Sequence, residues 1–195
     1  MTFRLLTLNL WNIGEPLEPR YQALAAGLKK LRPEIVCLQE VDRDPESGRS
    51  QAELVADMCR LHNHVGEDGL SIISSQPAVR SVIEPLPQMP GDPPRRVLLA
   101  EFVVGARRLL VANTHLAYQP QMIEGRRKQA QAILTAIRRY DPNPGDCPKV
   151  LCGDFNVAPT ELDVWSVPVW EGKLHFSRPE RAAITYVKQW GFVDL

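Results

Sequence analysis

The sequence has little that would mark an extracellular, membrane-spanning or DNA-coating protein. Its four cysteines, Cys37, Cys59, Cys147 and Cys152, form no C-x-x-C pair, which argues against a zinc knuckle or a thioredoxin-like motif. Cys37 and Cys152 lie inside apolar, strand-like runs, as reduced core thiols of a cytoplasmic protein do. Lys and Arg number 23 and Asp and Glu 23, so no net charge exists to spread a basic surface along a nucleic acid, although a local basic face stays open. No apolar window approaches the roughly 20 residues of a membrane span, so no membrane partner is expected. Arg4 interrupts the first apolar stretch too early for a secretory leader.

What is present reads as one globular domain. Hydrophobic residues make up 44% and charged residues 24% of 195 positions, the balance of an ordinary folded chain with a sizeable core. The 17 prolines, many lying between apolar runs, suit many short elements joined by loops. Phe3 to Leu10, Glu34 to Glu40, Leu70 to Ser74, Val79 to Ile83 and Lys149 to Gly153 read as strands, and Val97 to Val104 with Arg108 to His115 as a hairpin. Glu18 to Leu31, Ser50 to Leu61, Ile123 to Tyr140 and Pro179 to Trp190 read as helices. Ser50 and Glu53 form a capping-box pattern before the second of these. Pro85 to Pro94 is a loop, and Phe192-Val193 begins a last strand. Strands alternating with helices around a central hairpin predict a mixed, layered α/β domain over residues 1–195.

Three strands end alike, in an apolar run followed by carboxylate or amide: Leu8-Asn9, Leu38-Gln39-Glu40 and Cys152-Gly153-Asp154-Phe155-Asn156. Polar strand ends line the mouth of a sheet, where α/β proteins bind ligands. Carboxylate and amide oxygens are hard donors, suited to Mg²⁺ or Mn²⁺ rather than zinc. Glu40 and Asp154 supply enough charge for such an ion, and Asn9 and Asn156 add orienting groups without repulsion. The hairpin ends at His115, whose imidazole titrates near neutrality and suits proton transfer to a phosphate oxygen.

These motifs in this order, Thr7-Leu8-Asn9-Leu10-Trp11, Leu38-Gln39-Glu40-Val41, Thr114-His115-Leu116 and Gly153-Asp154-Phe155-Asn156, resemble the endonuclease/exonuclease/phosphatase superfamily over essentially the whole chain. The resemblance implies an α/β/β/α sandwich with Glu40 as principal metal ligand and Asn9 beside it. It implies that Asp154 and Asn156 position the attacking water and the phosphate, while His115 contacts the phosphate and assists proton transfer. The stretch after Asn156 is similar to exonuclease III-type enzymes, which act on duplex DNA and abasic sites. Thr114-His115-Leu116 is more like the deoxyribonuclease I and sphingomyelinase side. The expected function is therefore Mg²⁺- or Mn²⁺-dependent phosphodiester hydrolysis of DNA. The alternatives are a lipid or small phosphate ester as substrate, or an inactive scaffold.

The resemblance also implies a further strand and a Ser-Asp-His run, and neither occurs in these residues. The expectation is a C-terminally truncated domain with a partial site, low turnover, and an exposed sheet edge open to self-association. His175 has no counterpart among the family's catalytic residues. Among the clustered basic residues, Arg126 and Arg127 are expected on a phosphate-contacting rim of the longest helix.

Overall fold

The computed structural model describes residues 3–67, 69–88, 90–119, 123–143, 145 and 147–195. Met89, within the expected proline-rich loop, lies outside them. The fold is a mixed α/β one with two sheets and five α-helices among the described residues. The chain divides into two compact units: Met1–Ile83 with Leu98–Thr114 and Gly145–Asp154, and Glu84–Val97 with His115–Pro144 and Phe155–Leu195.

In the first sheet, β1 (Leu5–Asn9) runs parallel to β2 (Ile35–Gln39), joined by helix α1 (Leu17–Leu31). Strand β4 (Leu70–Ser74) pairs antiparallel with β2 on one side and with β3 (Asn63–Glu67) on the other. The second sheet has the order β5 (Arg80–Pro85), β6 (Arg96–Val104), β7 (Arg107–His115) and β8 (Lys149–Asp154). Every residue of β2 is buried, and strand alternation divides its side chains between two cores. Val36 and Leu38, with Ile73 of β4, pack against Leu28 of α1 and Ala52, Val55 and Ala56 of α2 (Gln51–Cys59). Ile35 and Cys37, with Ile72, pack instead against Leu98, Ala100, Phe102, Val111 and Cys152 of the second sheet. Burial on both faces is why β2 reads as a continuous apolar run. Each Leu or Ile so buried contributes about 1.5–3 kcal/mol.

The second unit is built on α3 (Ile123–Tyr140), α4 (Val167–Trp170) and α5 (Arg178–Gln189). Helix α3 packs on α5. Ala130, Ile133, Leu134 and Ile137 of α3 and Ala183 and Val187 of α5 are buried, at the spacing an amphipathic helix requires. Ser50 and Ser177 both close capping boxes, with Glu53 and Glu180 respectively.

Helix α4 and a 3₁₀ turn at Glu161–Asp163 are not among the sequence expectations, and two strands differ from them. Strand β3 is absent from them because Asn-His-Val-Gly-Glu carries one apolar residue; backbone pairing with β4 makes it a strand. Its Gly66, at φ 124, would put a Cβ 2.4 Å from the Leu70 carbonyl oxygen. Phe192-Val193 forms no strand: Phe192 stacks on Trp190 with ring centroids 5.5 Å apart.

Candidate functional site

The first unit brings Asn9, Glu40 and Asp154 together at its strand ends. The β1–β2 register pairs Asn9 with Gln39, which places Glu40 one residue beyond, and β8 packs across both strands. Asn9 Oδ1 accepts the Trp11 N–H at 2.8 Å, which turns the amide nitrogen toward the two acids. That nitrogen donates to Glu40 Oε1 at 2.9 Å and to Asp154 Oδ2 at 2.8 Å. Asn12 Nδ2 holds the other oxygen of Glu40 at 2.7 Å. Carboxylate oxygens of Glu40 and Asp154 lie within 4.8 Å of each other. One neutral amide thus keeps two like charges at a fixed separation, as an oxygen-ligated divalent cation requires.

Backbone conformation supports this placement. Among the described residues, seven other than glycine have positive φ. Arg32 and Arg60 do so as helix C-caps. The other five are Trp11, Asn12, Glu40, Asn156 and His175, in or next to the predicted site positions. Left-handed backbone at such residues costs about 1–3 kcal/mol each and persists only where neighbours enforce it. Gly153 precedes Asp154 for a steric reason. At φ 135, a Cβ there would lie 2.0 Å from the Thr114 carbonyl oxygen of the adjacent strand.

Behind the acids lies a buried amide network that sequence reasoning did not assign to the site. Gln39 Nε2 donates to Asn113 Oδ1 at 2.6 Å and to Thr7 Oγ1 at 3.2 Å. Asn113 Nδ2 donates in turn to the carbonyls of Leu38 (2.9 Å) and Ser71 (3.1 Å). Buried Gln51 ties the loop after β1 to α1 and α2: its amide donates to the Asn12 carbonyl at 2.8 Å and to the Tyr21 hydroxyl at 3.0 Å. The available signal was an amide placed inside an apolar strand, as Asn113 is. Such a group is buried only with partners.

The remaining predicted residues belong to the second unit. His115 is the last residue of β7 and is buried. Asn156 donates from Nδ2 to the Leu116 carbonyl at 3.0 Å. Arg126 requires a correction. It is fully buried rather than on a phosphate-contacting rim, forming an ion pair with Glu180 and donating to the Ala117 carbonyl at 2.8 Å. Its helix face is turned inward because a buried acid awaits it there, which periodicity does not reveal. Burial pushes the Arg126 guanidinium below its ordinary value, and Glu180 opposes that shift. Burial would raise the Glu180 carboxyl, but hydrogen bonds from Ser177 and the His175 N–H, with the charge of Arg126, bring it below the usual range. Arg127 is half-exposed and pairs with Glu124 on its own helix.

A model of the Endonuclease/Exonuclease/phosphatase family matches residues 6–174. An exodeoxyribonuclease of Bacillus subtilis (strain 168) is 28% identical over 186 residues, covering 94% of this chain and 71% of its own. Protein angel homolog 2 of Danio rerio is 28% identical over 158 residues, 72% of this chain; the match spans 28% of that protein's length. Among solved structures, the 3'-5' exonuclease NExo of Neisseria meningitidis superposes with a TM-score of 0.69 at 26% identity, over 97% of this chain and 72% of that one. A structure of 3' phosphatase NExo from Neisseria bound to product DNA hairpin gives 0.69 at 25% identity, over 99% and 73%.

Proposed function

Because the chain belongs to the Endonuclease/Exonuclease/phosphatase family, whose members are hydrolytic enzymes dependent on divalent metal, we propose that it hydrolyses phosphodiester bonds in DNA with Mg²⁺ or Mn²⁺, in the manner of exonuclease III. The observation that carries this reading is the single amide of Asn9 donating to both Glu40 and Asp154. Glu40 and Asp154 offer carboxylate oxygens and, among the described residues, no thiolate lies with them, which fits a hard cation. Glu40 would hold the ion with Asn9 beside it, and the ion would neutralise charge on the phosphate and the leaving oxygen.

The protein's own groups do the rest. Asp154 accepts a hydrogen bond from the attacking water and aims it in line with the leaving oxygen. Asn156 orients the phosphate, and His115 donates to a phosphate oxygen or to the leaving group. Arg127 reaches DNA phosphate only by giving up Glu124, an exchange between half-exposed partners that costs little. Reduced thiols fit a cytoplasmic setting, and action on abasic sites would make this a DNA-repair activity.

The test incubates the protein with Mg²⁺ or Mn²⁺ and a duplex carrying one abasic site, alongside bis-p-nitrophenyl phosphate. The expected result is nicking that Glu40→Gln lowers at least about 10²-fold. Cleavage of the small ester alone moves the substrate away from DNA. No cleavage of either overturns the reading.

A further inference from the structure

His175 has no role in the family resemblance, yet it is one of the five left-handed residues that do not cap a helix. Its Nδ1 lies 2.8 Å from the backbone carbonyl oxygen of Asn156, itself left-handed at φ 51. A carbonyl oxygen only accepts, so Nδ1 must carry the proton. The His175 carbonyl accepts the Ala158 N–H at 2.7 Å. One residue therefore grips the chain on both sides of Val157.

His175 is itself anchored. Its N–H donates to Glu180 Oε1 at 2.9 Å. Glu180, fully buried, also accepts from the Ser177 N–H at 2.9 Å and its hydroxyl at 2.6 Å, and pairs with Arg126. Arg126 reaches the Ala117 carbonyl, and Asn156 Nδ2 reaches the Leu116 carbonyl. The contacts close a ring: Asn156, Leu116-Ala117, Arg126, Glu180, His175 and back to Asn156. His115 is joined covalently to that ring at Leu116.

We infer that His175 is a positioning residue, whose imidazole holds the backbone of Asn156 left-handed and so fixes the direction of the Asn156 amide. The inference rests on the proposed role of Asn156 in phosphodiester hydrolysis. His175 acts through Asn156 and need not touch the substrate.

Two substitutions separate the hydrogen bond from the backbone conformation. Gly accepts positive φ and removes the donor. Asn also tolerates the left-handed region and offers an amide N–H near the place of Nδ1. With bis-p-nitrophenyl phosphate, His175→Gly is expected to lower kcat about tenfold or more with KM within about twofold, and His175→Asn to recover most of the loss. In an Asn156→Ala background, His175→Gly is expected to have no further effect, because residues acting as a unit are not additive. Additive losses, or a Gly variant as active as the parent beside an impaired Asn156→Ala, overturn the inference. An Asn156→Ala variant with full activity, or a parent protein that cleaves neither this ester nor the abasic duplex, overturns the functional reading instead. The contact is then decided separately by ¹⁵N NMR of the imidazoles, with His175 assigned from its absence in the Gly variant. A neutral Nδ1–H form is expected, and an Nε2–H form overturns the contact.

Discussion

The first unit holds its strand-end acids with neutral amides, whereas the second holds its polar residues with a buried ion pair. Asn9, Gln39 and Asn113 all sit on strands whose ladders already satisfy most backbone groups. An amide offering both donors and acceptors completes the few bonds that remain. In the second unit, residues 116–119 and 155–160 lie outside helices and strands. Their carbonyls need donors from elsewhere, and Arg126 serves both Ala117 and Gln119. Gln129 adds the Ala117 N–H and the Pro87 carbonyl. A guanidinium supplies more donors than an amide, but burying its charge requires a buried acid. Glu180 is that acid. Neutral positioning suits a ladder, and charged positioning suits loops.

Breaking the charged network is therefore expected to cost most. Arg126→Met leaves the Glu180 carboxylate buried without its counter-ion, and urea denaturation should show a loss of about 3–5 kcal/mol. Adding Glu180→Met is expected to recover part of it, since the uncompensated charge is gone. A loss below about 1 kcal/mol for the single variant would erase the contrast between the units.

The neutral network should cost less. Asn113→Ala removes the acceptor for Gln39 and the donor to Leu38 and Ser71, and the same measurement should show about 1–3 kcal/mol for buried groups left unsatisfied. A loss as large as that of Arg126→Met would mean that charge is not what sets the cost.

The smallest effect sharpens the comparison at a third site. Glu101 in β6 pairs with Arg108 and Arg80, whose side chains are 40% and 49% exposed. Hydrogen bonds from Arg108, and then those from Arg80, outweigh burial and hold the Glu101 carboxyl down at about 2, below its ordinary 4.5. A depressed carboxyl stabilises the fold above its ordinary value, and that contribution is lost as the pH falls from 4.5 toward about 2. Glu101→Gln is expected to flatten the acid limb of a Tm-against-pH curve in that window. An unchanged limb would place acid sensitivity elsewhere.

Much of this was legible before the structure. The unbroken apolar run Ile35-Val36-Cys37-Leu38 reads as a buried strand, and Ser50 with Glu53 announces the start of α2, because both signals are local. The polar ends of β1, β2 and β8 pointed to Asn9, Glu40 and Asp154, which the structure joins through hydrogen bonds. Asn12 and Gln51 were not legible as supports for Glu40, since their partners lie 28 and 39 positions away. Helical spacing placed Arg126 among exposed basic neighbours, but periodicity marks apolar faces and is blind to a buried acid 54 positions along.

The amino-acid order alone determined the family, the succession of most strands and helices, and which side chains can ligate a hard cation. These follow from residue chemistry and short-range periodicity. Tertiary structure alone decided that one asparagine spans two carboxylates, that Arg126 is a buried support for a loop, and that Glu40, Asn156 and His175 adopt left-handed backbone. Each of these depends on a partner distant in sequence, and hydrogen-bond geometry leaves that choice open until the chain has folded.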